Sequence, residues 1–78
     1  MTAEDYIIED LEIRGAWFGA NNVTIHNDQM SMFVDDDFLE NDQTLYEVVE
    51  WFEKEFLPSH GLRLEDVFYH GDFTVFFR

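Results

Sequence analysis

A chain of 78 residues with 18 acids against four bases carries a formal net charge of −14, and it has no cysteine. That excludes disulfides and cysteine-held zinc as staples. It also disfavours DNA, RNA and anionic membranes as direct ligands, because a field of this sign attracts basic protein surfaces.

The first ten residues read two ways. Thr2 to Asp10 is either a short helix capped by Thr2 and Asp5 or an extension of the first strand, and the helix is favoured. From there the pattern has period two. Leu11, Ile13, Gly15 and Trp17 alternate with Glu12, Arg14, Ala16 and Phe18. After a turn-rich interruption, Val23 and Ile25 alternate with Thr24 and His26, and beyond Asn27-Asp28-Gln29 the alternation resumes at Met30, Met32 and Val34. This predicts a three-stranded antiparallel meander over roughly 10–18, 22–27 and 30–35.

The stretch TLYEVVEWFEKEFL predicts the main helix, over about 45–57. Thr44 is the expected N-cap, with Glu47 completing a capping box. Leu45, Val48, Val49, Phe52 and Phe56 form one buried stripe, Glu50 and Lys54 pair at i,i+4, and Pro58 followed by Gly61 ends the helix. VFYHGDFTVFFR predicts a hairpin around His70-Gly71-Asp72, with strands at about 65–70 and 73–77. The expected fold is a single α+β domain, 1–78. An antiparallel sheet of about five strands carries the main helix on one face, with a possible short N-terminal helix.

A chain this short buries only ~60% of the surface it exposes when unfolded, so packing must be dense. The 46% hydrophobic and 18% aromatic content (nine Phe, three Tyr, two Trp) supplies the material and sets the chain apart from a disordered acidic tail. No apolar run approaches the ~20 residues of a membrane span and no signal-peptide pattern is present, so a soluble cytoplasmic protein is expected.

The most unusual local feature is VDDDFLENDQT. Asp35, Asp36, Asp37, Glu40 and Asp42 crowd around Phe38 and Leu39. As a calcium loop it fails, because the sixth position from Asp35 is Glu40 rather than glycine and the twelfth is Tyr46. His26, His60 and His70 have no zinc spacing and read as turn or surface residues. Nucleophile, phosphate-loop and dinucleotide motifs are absent, so no cofactor and no enzymatic activity are expected.

A binding surface fits the pattern better. On a wheel of about 100° per residue, Trp51 falls on one flank of the buried stripe between Glu47 and Glu55, and Tyr46 falls on the other near Glu50 and Glu53. Trp51 either packs beneath a loop or sheet edge, or joins Tyr46 and Phe38 as an interface anchor. Carboxylates at alternate strand positions, or at i,i+3 and i,i+4 of a helix, stand ~5–7 Å apart, a spacing like that of phosphates along a nucleic-acid strand. The run is then either a solvated loop or a short phosphate-like track. Asp42 and Glu40 have a local reason to sit near the positive end of the helix, and Asp35, Asp36 and Asp37 have none.

The charge run 35–42, the acidic helix face 47–55 and the overall balance resemble small phage-encoded inhibitors that act as nucleic-acid mimics, the anti-CRISPR and anti-restriction proteins. The resemblance implies an inhibitor that occupies a basic, nucleic-acid-binding surface of a host defence complex such as a CRISPR effector subunit. Asp35, Asp36, Asp37, Glu40, Asp42, Glu47 and Glu50 would supply charge, and Phe38, Tyr46 and Trp51 would anchor. Two alternatives stay open: an immunity-type inhibitor of a cationic nuclease toxin, and a small acidic subunit of a larger complex. A second acidic set (Glu4, Asp5, Glu9, Asp10 and Glu12) is expected on the opposite side of the sheet.

Overall fold

The computed structural model describes residues 2–78; the side chain of His70, and with it the expected surface position of that histidine, lies outside the described residues. Helix α1 spans Ala3–Arg14. The Thr2 hydroxyl accepts from the Asp5 amide at 3.1 Å, and the Asp5 carboxylate accepts from the Thr2 amide at 3.2 Å, the capping box that the sequence suggested. The helix runs well past Asp10, however, and the expected strand over 10–18 does not exist. Its apparent alternation does not share a buried side: Leu11 is fully buried, whereas Ile13 is 69% and Trp17 43% exposed. In helical register, Ile7, Ile8 and Leu11 face the core together.

Gly15 ends α1 by donating its amide to the Leu11 carbonyl at 2.7 Å. A Cβ there would stand 2.6 Å from that same oxygen and 3.0 Å from Phe18 and Ala20, so the close approach requires glycine. A 3₁₀ turn over Ala16–Phe18 follows and drops Phe18 into the core.

Strand β1 (Asn21–His26) turns through Asn27, at φ 56°, into β2 (Gln29–Phe33). A short helix α2 (Asp36–Glu40) leads to α3 (Asp42–Trp51). The rod then continues through a π-helical stretch, Phe52–Phe56, and a last α-turn, Leu57–Ser59. The main helix is therefore longer than predicted, and the π stretch explains how. A regular α-helix would carry Leu57 about 120° off the stripe begun at Leu45. The wider π turn rotates it back, so Phe52, Phe56 and Leu57 are all fully buried.

Strands β3 (Leu64–His70) and β4 (Asp72–Phe77) form the expected hairpin, with Gly71 at φ 77° between them. The sheet has four antiparallel strands in the order β1-β2-β4-β3, one fewer than expected because residues 10–18 are helix and turn. Met30 and Met32 of β2 lie opposite Val75 and Phe73 of β4, and these four side chains form the floor of the core. Phe73 stacks on Phe52 of the rod at 5.9 Å. The other face, with Ser31, Phe33, Phe68, Thr74 and Phe76, has no described element packed over it, and Phe33 is 49% exposed.

Candidate protein-binding surface

The acidic run folds into the joint between β2 and the helices. The Asp35 amide donates to the Phe18 carbonyl at 3.2 Å, and the Asp35 carbonyl accepts from the Phe38 amide at 3.0 Å. Its carboxyl lies against Gly19 (φ 77°), where a Cβ would collide with it. Asp36 and Asp37 occupy the first turn of α2. Asp36 and Asp37 thus sit at the positive end of a helix, contrary to the expectation, whereas Asp35 joins the chain to the Trp17 turn through its backbone and its carboxylate caps no amide of α2.

The cap of α3 also differs from expectation. Asn41, not Thr44, caps it, its side-chain oxygen accepting from the amides of Gln43 (2.9 Å) and Thr44 (3.4 Å). The Thr44 hydroxyl instead donates to the carbonyls of Asn41 (3.0 Å) and Phe38 (3.3 Å), which ties α2 to α3. Asn41 lies three residues earlier with the geometry of an N-cap, so the box with Glu47 is not formed.

Beyond this joint the aromatic residues assemble. Trp51 is half-buried, meeting Phe18 edge-on at 5.3 Å and stacking on Phe56 at 5.1 Å. Trp17 leans over it from the 3₁₀ turn, 6.0 Å from Trp51 and 5.8 Å from Phe38. The Arg14 guanidinium lies 5.2 Å from the Phe56 ring and 5.8 Å from the Trp51 ring. Trp51 therefore packs beneath Trp17, as the first reading expected, and still reaches the surface.

That surface is a shallow groove of about 560 Å³ on the outward side of α3. Trp17 and Trp51 line one flank and Tyr46, 65% exposed, the other, with Gln43 between. Glu47, Glu50 and Glu55 supply three carboxylates, and Lys54 is the one base of the lining, held by Glu50 at 3.4 Å. Of the residues expected in the site, Tyr46, Glu47, Glu50 and Trp51 come together here. Phe38 supports Trp17 from below. Asp36, Asp37 and Glu40 are exposed along α2 outside the groove lining, and Asp42 lines a different hollow on the β3 side of α3. Sequence reasoning missed Trp17, which it placed in a strand; a tryptophan between Gly15 and Gly19 was the available signal of a turn that holds a ring at the surface.

The second acidic set lies on the same side of the sheet as α3, not the opposite one, because α1 packs against the end of the rod. The Asp10 carboxylate accepts from His60 Nε2 at 2.8 Å and from Arg14 at 3.0 Å. Arg14 also donates to the Ser59 hydroxyl at 2.9 Å, and Tyr6 meets the His60 ring edge-on at 5.7 Å. Partial burial works to raise the pKa of Asp10, but the hydrogen bonds and positive charge of His60 and Arg14 outweigh it and hold the pKa below the usual carboxylate value. Glu4, Asp5, Glu9 and Glu12 remain exposed.

Among the described residues, no group of three or more His, Asp or Glu side chains is placed to hold a metal, and no helix is long and apolar enough to cross a membrane. No protein-family model matches the chain, and neither the curated proteins nor the solved structures compared with it gave a match.

Proposed function

We propose that this domain is a protein-binding inhibitor that uses the groove of α3 and the acids of α2 to occupy a basic, nucleic-acid-binding surface, as an anti-CRISPR or anti-restriction mimic does. One observation carries the reading: an open groove lined by two tryptophans and a tyrosine beside three carboxylates, with its single base already paired. Aromatic anchors ringed by charge are the makeup of an interface hot spot. An arginine or lysine entering the groove gains the carboxylates and the ring faces together. The acids steer the encounter, and the rings, buried once the partner docks, hold the complex.

The test is displacement. The domain is titrated into purified CRISPR effector complexes and restriction endonucleases holding a fluorescent duplex. Release of the duplex from at least one, abolished by Glu47→Lys with Glu50→Lys in a variant that unfolds at the wild-type temperature, supports the reading. Duplex retention across the panel, or release that the double variant leaves intact, contradicts it.

The exposed Phe33 and Phe68 on the open sheet face favour a second reading, a small acidic subunit of a larger complex. A cooperative thermal transition of the isolated domain would argue against that alternative.

A further inference from the structure

The sheet ends on one side at β3, and that edge differs from the edge at β1. Strand β1 is backed by α1 and carries a register shift between Asn21 and Thr24, with Asn22 at φ 51°. Such irregularities blunt an edge. Strand β3 is seven residues long; its own register shift is confined to its start, between Leu64 and Asp66, and from Asp66 to His70 it pairs regularly with β4. Neighbouring residues on it, Phe68 (54%) and Tyr69 (50%), point to opposite faces of the sheet, yet both are exposed. Phe68 lies on the face that no described element covers, but Tyr69 lies on the helix side, where such exposure marks a missing flanking strand. The Val67 amide is met by no strand either: it donates to the side chain of its neighbour Asp66, at 2.8 Å.

The two faces beside this edge are chemically unlike. On the helix face, a hollow of about 290 Å³ is walled mainly by Leu45, Tyr46, Val49, Val67 and Tyr69. On the open face, a hollow of about 420 Å³ is walled by Phe68 and Phe76, which meet edge-on at 5.5 Å, and by Asp28, Glu65 and Asp66. An added strand sends alternate side chains to these two faces.

We infer that β3 is a docking edge for an extended segment of a partner protein in which apolar and basic residues alternate. The apolar side chains enter the hollow beside α3, and the lysines or arginines lie over Phe68 and Phe76 among the three carboxylates. The backbone of the segment takes the Val67 amide from Asp66, freeing that carboxylate for the incoming cation. A second copy of this chain fits less well, because the seam would gather Glu65 and Asp66 of both copies between two domains that each carry −14. This edge shares only Tyr46 with the groove of α3 and does not depend on nucleic-acid mimicry.

The test uses the ¹⁵N-labelled domain and a short synthetic peptide alternating arginine with valine, beside an isomer with its arginines and valines in separate blocks. The alternating peptide should shift the amides of Leu64–Tyr69 and slow hydrogen exchange at Val67 by about tenfold or more. The block isomer should bind at least about tenfold more weakly, since charge alone cannot place its side chains on the correct faces. Val67→Pro should abolish binding. Because that variant also risks the fold, Asp66→Lys with Glu65→Lys is measured beside it and should weaken binding while the β4 amides keep their positions. Glu47→Lys with Glu50→Lys should leave binding at β3 unchanged, which separates this edge from the groove. Equal binding of the two peptides, shifts confined to α1 or the groove, or a dimer formed through β3 without peptide would overturn the inference.

Discussion

Phe52 is the side chain whose removal should expose how the fold is held. It is fully buried at the point where the rod changes from α to π, and it touches Phe18, Trp51, Phe56 and Phe73 at ring distances of 5.0 to 5.9 Å. Those contacts join the 3₁₀ turn, the rod and β4 through one ring. Truncating a buried phenylalanine to alanine costs about 3–5 kcal/mol, and the loss of four aromatic partners places Phe52→Ala at the upper end. A domain of this size has roughly 4–12 kcal/mol in total, at 0.05–0.15 kcal/mol per residue. The variant should therefore lose from about 40% to all of the domain's stability. Phe52→Leu keeps most of the volume and should cost only about 1.5 kcal/mol. Urea unfolding followed by tryptophan fluorescence reads both, since Trp51 and Trp17 belong to the same cluster. With a slope near 1 kcal/mol/M, Phe52→Leu should lower the midpoint by about 1.5 M. A Phe52→Ala midpoint within about 0.5 M of wild type would refute the packing argument.

Other consequences are more local. Gly15→Ala should destabilise by about 2 kcal/mol and lower Tm by roughly 10 °C, because the new Cβ meets the Leu11 carbonyl rather than a yielding side chain; differential scanning calorimetry reads this. Asp10→Asn should lose stability with a defined sign of pH dependence. The folded pKa of Asp10 is depressed, so its contribution is complete above the unfolded value of about 3.9 and disappears as pH falls through the folded value. Denaturation curves for the two proteins should accordingly be separated at neutral pH and converge in acid. Trp17→Ala should weaken capture of a displaced effector by about 2 kcal/mol, roughly thirtyfold in Kd, as removal of an anchor does. Titration calorimetry measures it, and a change under twofold would remove Trp17 from the interface.

What could be read from the sequence was local and repeated. The stripe from Leu45 to Phe56 revealed the main helix, Thr2 and Asp5 revealed the first cap, and Gly71 between two apolar runs revealed the last hairpin. Residues 10–18 misled because Leu11, Ile13, Gly15 and Trp17 alternate by accident of composition. Contacts that accompany their helical state are distant and leave no local signal: Asp10 with His60 across 50 positions and Arg14 with Ser59 across 45. The same holds for Leu57, whose burial needs a π turn that no spacing rule announces. In the candidate site, Tyr46, Glu47, Glu50 and Trp51 were legible because one helix face holds them. Trp17 was not, since a turn stabilised from elsewhere delivers it. Asp36 and Asp37 looked unexplained because their helix is only five residues long, and Asp35 because the Gly19 turn it lies against is far back in the chain.

On the proposed function, the acidic aromatic face of α3 competes with nucleic acid for a basic surface. This competition is tested most directly by the salt dependence of binding to an effector whose duplex the domain displaces, measured for wild type and for Glu47→Lys with Glu50→Lys. Wild-type affinity should fall steeply between about 50 and 500 mM salt, and the variant should bind weakly with a much flatter dependence. Affinity that is level over that range, or equal slopes for the two proteins, would contradict it.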